Sequence, residues 1–254
     1  MSDWVDGRVH EVIRWSDKLF SLRIKADLAP YQAGQFTKLS LMLPSADGSG
    51  AMERVSHAYS FVNGPAAPYH EFYIVLIPEG RLTPHLARLQ PGDTLQLAKA
   101  ASGFLTLNEI PPARDLWMLS TGTAIGPFLS ILAAGEAQRR FRHLVLVHGV
   151  RLGEELTYRA TIDELVASLG GRLHYVPFVS RESWPQGLSG RIPAAIADGR
   201  LEQAVDLSLS PELSQVMICG NPQMVKDTQE ILQARGLRKN LRRAPGEITV
   251  EHYW

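Results

Sequence analysis

Four apolar runs constrain this chain more than anything else in it: "LWMLS", "HLVLVHGV", "RLHYVPFVS" and "QVMICGN", all in its second half. Between them lie amphipathic stretches such as "PFLSILAAGEAQRRF" and "PQMVKDTQEILQARG". Continuous apolar strands alternating with helices require a parallel sheet covered on both faces, because only such a sheet buries both sides of each strand. The first half is different. "GRVHEVIRW", "LFSLRIKA", "QFTKLSLML", "HAYSFVN", "EFYIVLIP" and "DTLQLAK" are short strand-like segments separated by Pro, Gly and Asp turns. Closely spaced strands of this kind predict a small antiparallel β-barrel. The change falls at "EIPPARD", near Pro111 and Pro112, which divides the chain into 1–110 and 111–254. "LPSADGSGAMERV" is expected to be an exposed loop.

Composition narrows the function classes. Lys plus Arg (26) equals Asp plus Glu (26), which argues against a general nucleic-acid or membrane-surface binder. The single cysteine, Cys219, rules out an internal disulfide framework, and no apolar run reaches membrane-spanning length. No metal site is expected. The segment "MSDWVDGRVHEV" lacks the apolar core of a secretory signal, so the expectation is a cytoplasmic protein and a monomer.

Three stretches at predicted strand ends could carry chemistry. In "LSTGTAIGPFLSIL" a strand runs into Gly122 and Gly126, and Pro127 opens a helix. Backbone N–H groups at such a turn attract phosphate, but a plain strand-to-helix turn explains the glycines equally well. It is not the GxGxxG fingerprint. "FVSRESWPQGLSGR" places Ser180, Arg181 and Arg191 beyond the end of a strand, and Arg151 follows "HLVLVHGV". Ligands of open α/β sheets bind beyond those ends, and guanidinium forks suit a phosphomonoester, which favours NADP over NAD; Glu182 is the nearby acid that an NAD-type ribose contact would use. A solvated loop would also account for the arginines. "MICGNPQMV" ends with Cys219 and Gly220, and Asn221 with Pro222 caps the next helix; a lone buried cysteine is most often inert packing. In the first half, "RVSHAYSF" places His57 and Tyr59 on one strand face and Ser60 on the other, and "PEGRLTPHL" offers a turn at Gly80.

Taken together and in order, "HAYSFVN", "FYIVLIPEGRLTPHL", "STGTAIGPFLSIL", "VHGVR", "VSRE", "SGR", "CGNPQMVKDT" and "EHYW" resemble the bacterial ferredoxin/flavodoxin–NADP+ reductase family over essentially the whole chain. The resemblance implies an FAD-binding antiparallel barrel followed by a NADP-binding α/β domain. It implies that His57, Ala58, Tyr59 and Ser60 line the flavin, and that the backbone of Tyr73, Ile74 and Val75 edges its ring. Arg81, Leu82 and Thr83 would hold the FAD pyrophosphate, and Thr123 would contact the nucleotide junction. Val150, Arg151, Ser180, Arg181 and Arg191 would bind the 2′-phosphate end of NADP, with Asn221, Pro222, Gln223 and Asp227 in the same site. Ser60, Cys219, Glu251 and Tyr253 would be the residues nearest the chemistry, and Tyr253 and Trp254 would cover FAD.

The chain departs from the family pattern in carrying His57 where the family has Arg, so a permanent guanidinium fork is replaced by an imidazole. Arg54 cannot stand in for it, because three residues along a strand reverses the face. The implied activity is hydride exchange with NADP(H) and single-electron exchange with an acidic ferredoxin or flavodoxin, for which "RGLRKNLRR" offers a basic surface. An NAD(P)H-dependent flavin reductase and a non-catalytic nucleotide-binding regulator are the alternatives. Iron–sulfur versions of such electron-transfer proteins need clustered cysteines.

Overall fold

The structure is a computed structural model that describes residues 3–252. The first six strands, β1 (Trp4–Arg14), β2 (Leu19–Lys25), β3 (Phe36–Pro44), β4 (Met52–Ser60), β5 (His70–Val75) and β6 (Thr94–Ala98), form an antiparallel sheet in the order β4-β3-β6-β1-β2-β5. The edge strands curl toward each other and meet just past β4, where Phe61 bridges Phe72 and Val62 N–H donates to Glu71 O (2.9 Å). That closure covers two sheet edges that would otherwise be open to other chains. Inward residues of alternate positions, among them Phe20, Leu22, Ile24, Leu39, Phe72 and Leu97, fill the interior. The short helix α1 (Thr83–Leu86) plugs one end with Leu82 and Leu86, both fully buried.

The expected loop 43–55 is an exposed turn at Ser45–Ala51, and its two ends are strand. Pro44 pairs with Met52 and Met42 with Arg54, so only the Ser45–Ala51 tip turns. Glycines disguise the pairing: Gly48 and Gly50 have φ of +75° and +74°, and their polar neighbours carry no alternation signal.

The second sheet is wholly parallel: β7 (Asp115–Thr121), β8 (His143–Val150), β9 (Leu173–Val179), the two-residue β10 (Leu188–Ser189), β11 (Ser214–Gly220) and β12 (Ile248–His252), in the order β10-β9-β8-β7-β11-β12. Leu116, Trp117, Met118 and Leu119 of β7 are all fully buried and alternate between two cores. One core packs α2 (Gly126–Ala133), α3 (Ala137–Arg140) and α4 (Arg159–Ser168); the other packs α5 (Ile192–Ala197), α6 (Arg200–Val205) and α7 (Pro222–Ala234). The stretch "PFLSILAAGEAQRRF" is two helices and not one, because Gly135 at φ +74° ends α2. The expected Asn221 cap is present: its Oδ1 accepts from Gln223 N–H (3.0 Å) and Met224 N–H (3.2 Å).

Two contacts lock the halves. Gly126 lets the barrel strand end approach α2, since a Cβ there would stand 3.2 Å from Val62 Cγ2. Ser130 Oγ–H donates to Asn63 O (2.8 Å). A buried side-chain relay runs beside them: Trp15 Nε1–H to Ser21 Oγ (2.8 Å), Ser21 Oγ–H to Tyr158 Oη (2.6 Å), and Tyr158 Oη–H to Glu71 Oε1 (2.7 Å), with Arg23 Nε–H on Glu71 Oε2 (2.8 Å).

Candidate functional site: a cleft at the sheet's switch point

The strand order reverses between β7 and β11: the chain winds outward through β8, β9 and β10, then returns to the other side of β7. Chains leaving the carboxyl ends of β7 and β11 therefore diverge to opposite faces and leave a crevice. The two ends are drawn together closely. Asn221 N–H donates to Thr121 Oγ1 (2.9 Å), and a Cβ on Gly220, whose φ is +138°, would fall 2.2 Å from that oxygen. Only glycine fits there.

The crevice opens into a cleft of about 600 Å³. Its barrel wall is Leu19, Tyr73, Val75 and Ile77. Its floor is Thr121, Gly122, Thr123 and Gly149, and its far rim carries Val150, Arg151, Ser180, Arg191, Asn221 and Gln223. Glu155, Phe178 and Asp227 complete it. Gly122 has φ +57° and nothing within 4 Å of where a Cβ would stand, so its backbone is open to the cleft. Beneath it, His148 is fully buried and donates from Nε2 to Gly122 O (3.0 Å), which fixes the proton on Nε2; its Nδ1 has no partner. Burial pushes its pKa down to about 4, so the group stays neutral.

The cations are unevenly engaged. Arg151 is bound to its own loop through Glu155 Oε1 (2.8 Å). Among the described residues, Arg181 and Arg191 form no ion pair, and both are exposed. Arg191 lines the cleft; Arg181 sits just outside it, its N–H donating to Arg151 O (2.9 Å). Glu182, exposed on the same loop, accepts from Gly153 N–H at Oε1 (2.5 Å). Gln223 Nε2–H donates to Asp227 Oδ1 (2.6 Å) on α7, while Pro222 starts that helix outside the lining.

The barrel residues fall into two groups. Tyr73 and Val75 face the cleft, while Ile74 points into the barrel core and Leu82 belongs to that core too. On β4, His57 and Ala58 are exposed and Tyr59 is half-buried against the barrel core. Ser60 is buried, and its Oγ has no hydrogen-bond partner, which is what a hydroxyl that serves a ligand would show. Arg81 is already occupied by Glu53 Oε1 (2.5 Å) and Pro44 O (3.0 Å), and Thr83 Oγ1 is used on Ile77 N and O. A phosphate there would share Arg81 with Glu53. Arg54 lies on the opposite face as expected, bound to Ser40 Oγ (2.9 Å) and Gln96 Oε1 (2.5 Å) over the Trp4 ring.

Cys219 and Glu251 are register partners on β11 and β12. A Cβ on Gly103 would stand 3.0 Å from Glu251 Oε2 and 3.2 Å from Phe36, the strand partner of Ser60, so β12 and β3 approach each other at Gly103 across the two halves. Burial raises Glu251 to about 7, against a hydrogen bond from the Phe104 backbone. Burial, then the Glu251 charge, holds the Cys219 thiol well above its usual range. Tyr253 and Trp254 lie outside the described residues. Sequence reasoning overlooked Leu19, Ile77, Glu155 and Phe178; of these only Glu155 carries a signal, its four-residue spacing from Arg151.

A switch-point cleft facing a six-stranded antiparallel barrel has clear relatives. A flavodoxin/ferredoxin–NADP reductase of Shigella flexneri is 51% identical and one of Escherichia coli 50%, each over the full length of both chains. This chain belongs to the flavodoxin/ferredoxin–NADP reductase family. Residues 118–230 match the family model for an oxidoreductase NAD-binding domain. A crystal structure of a ferredoxin NADP+ reductase from Neisseria gonorrhoeae with bound FAD and NADP superposes with a TM-score of 0.92 at 36% identity, with both chains covered completely. The family assignment made from the motifs is thus borne out, as are the antiparallel barrel and the parallel sheet.

Proposed function

We propose that the chain is an FAD-dependent oxidoreductase that exchanges a hydride with NADP(H) and single electrons with a ferredoxin or flavodoxin. The observation that carries this reading is the cleft itself: one continuous space runs from barrel residues Tyr73 and Val75 to Ser180 and to Arg191, which has no ion pair among the described residues. Bound FAD would supply the hydride and one-electron chemistry, and the protein positions and shields it. Within that reading, residues 1–110 carry FAD and 111–254 carry NADP(H). The Ser60 hydroxyl is free to donate to a ligand at the buried end of β4, and Arg81 and Thr83 stand at the pyrophosphate end. Thr123 and the open Gly122 backbone meet the middle of the nucleotide, and Arg151, Ser180, Arg181 and Arg191 take its 2′-phosphate. Glu182 is tied by its Oε1 to Gly153 N–H on the neighbouring loop. Burial raises Glu251 to about 7, so this carboxyl beside Cys219 can take up or release a proton near neutrality.

The carrier would dock on the basic segment around Arg238, Lys239, Arg242 and Arg243, beside exposed Leu241. We place the protein in the cytoplasm as a monomer; among the described residues no helix is long and apolar enough to cross a membrane. The test is the visible spectrum of the purified protein. Bound flavin that bleaches with NADPH and recovers on adding oxidised flavodoxin is expected. A colourless protein that never takes up FAD, or a flavin reduced equally by NADH, would overturn the reading.

A further inference from the structure

The two loops that carry the cleft's arginines are clamped to each other. The loop after β8 holds Arg151 and Gly153; the loop after β9 holds Ser180, Arg181, Glu182 and Trp184, then leads to Arg191. Ser180 N–H to Val150 O (3.1 Å) and Arg181 N–H to Arg151 O (2.9 Å) extend the sheet ladder one step past the strands. Two further contacts follow, both on Gly153. Its N–H donates to Glu182 Oε1 (2.5 Å), and the Trp184 ring occupies the space where its side chain would stand. A Cβ on Gly153 would stand 2.1 Å from Trp184 Cζ3 and 2.5 Å from Cε3, so no other residue admits the ring. Trp184 completes a small apolar cluster with Val150, Leu156 and Val179, apart from the main cores. Its indole N–H is buried without a partner, a desolvation cost that only a required ring position offsets. Gly187 is pinned as well, since a Cβ there would fall 2.3 Å from Pro177 O.

We propose that Trp184 and Glu182 are positioning residues for recognition of the nucleotide 2′-phosphate. They fix the spacing between Arg151 on one loop and Arg181 and Arg191 on the other. The proposal rests on the reading of the cleft as an NADP(H) site. Arg181 and Arg191 are exposed and unpaired among the described residues, so nothing on their own side chains holds them in place. A phosphate read by several guanidinium groups rewards a preset geometry, because ordering the loop on binding would subtract from affinity. The clamp supplies that order through backbone and ring contacts that touch no ligand.

The experiment is calorimetric titration of the purified holoprotein with four probes: NADP+ and 2′,5′-ADP, which carry the 2′-phosphate, and NAD+ and 5′-AMP, which do not. Trp184→Ala is expected to weaken the first two about tenfold, the equivalent of one misaligned charge-assisted contact, and to change the others less than twofold. Gly153→Ala should reproduce that loss by displacing the ring, and the double variant should be no worse than Trp184→Ala alone. Glu182→Gln keeps an accepting oxygen and should keep selectivity, while Glu182→Ala should lose it. Trp184→Leu and Glu182→Ala serve if Trp184→Ala fails to fold. Equal losses for all four probes would mean the loop is merely structural, and unchanged selectivity in Trp184→Ala and Glu182→Ala would also overturn the proposal. Wild-type protein that shows no preference for the 2′-phosphate would refute the cleft reading, and this proposal with it.

Discussion

Tyr158→Phe removes one oxygen from the junction of the two halves and leaves the ring. That oxygen accepts from Ser21 Oγ–H and donates to Glu71, whose side chain is 4% exposed. The direction of the relay follows from its ends: Trp15 Nε1 can only donate and a carboxylate can only accept. The phenol remains a donor at every working pH, because burial and then the Glu71 charge hold its pKa well above the usual value. Losing the bond to a buried carboxylate costs about 1.5–3 kcal/mol and losing the Ser21 bond about 1 kcal/mol, so the substitution should destabilise by roughly 2.5–4 kcal/mol. For a chain of this size each kcal/mol lowers Tm by about 2–4 °C, which predicts a fall of roughly 5–15 °C in a thermal melt. Packing does not confound the result, since the ring keeps its contacts with Trp15 (centroids 4.6 Å apart) and Tyr73 (5.2 Å). A cycle with Ser21→Ala adds a second readout: the two losses should overlap by more than about 0.5 kcal/mol. A Tm drop under about 2 °C, or strict additivity with Ser21→Ala, would refute the relay.

Other outcomes follow from the cleft. Arg191→Ala should weaken NADPH by an order of magnitude or more, since a charge-assisted phosphate contact contributes about 1.5–3 kcal/mol, and should leave NADH nearly unchanged; equal losses would show that Arg191 reads something else. The buried neutral His148, with its pKa lowered to about 4, contributes stability that is complete above about pH 6.5 and is lost as pH falls toward 4, because the unfolded imidazole takes the proton first. Chemical denaturation across that window should show about 3 kcal/mol less pH-dependent loss in His148→Gln than in the parent, whatever the offset at neutral pH. Deleting Tyr253 and Trp254 should weaken FAD by about 1–3 kcal/mol if a ring stacks on it, and should tighten NADP+ binding. A lower Tm with both affinities unchanged would reduce the pair to packing.

Much of this architecture was legible because the relevant signals are local. β7, β8, β9 and β11 announce themselves as apolar runs since both faces are covered, and residues just past their ends inherit a site from topology alone. Ser180, Arg191 and Asn221 were therefore readable as cleft residues. The relay was not. Ser21 and Tyr158 are 137 positions apart, and neither the serine in its strand nor the tyrosine in its loop breaks a local pattern. Tyr158 even takes the left-handed conformation (φ +57°), which no propensity would assign to an aromatic residue; contacts from the other half hold it there. Trp184 was hidden for a similar reason, since its place depends on a glycine in a different loop.

Glu182 and Cys219 show where residue type misleads without a partner. From sequence, Glu182 stood as the acid an NAD site would direct at a ribose; in the structure its Oε1 is engaged by Gly153 N–H, which ties the side chain to the neighbouring loop. Cys219 reads as inert packing, and its full burial agrees. Its register partner changes the meaning. Glu251 is raised to about 7 by burial, and the Cys219 thiol is raised by burial and then by the Glu251 charge. The Cys219 thiol therefore stays protonated at neutral pH, whereas the Glu251 carboxyl, at about 7, exchanges its proton there. The cations that a phosphate requires stand elsewhere, on the rim of the switch-point cleft, where Arg151 and Arg191 line it.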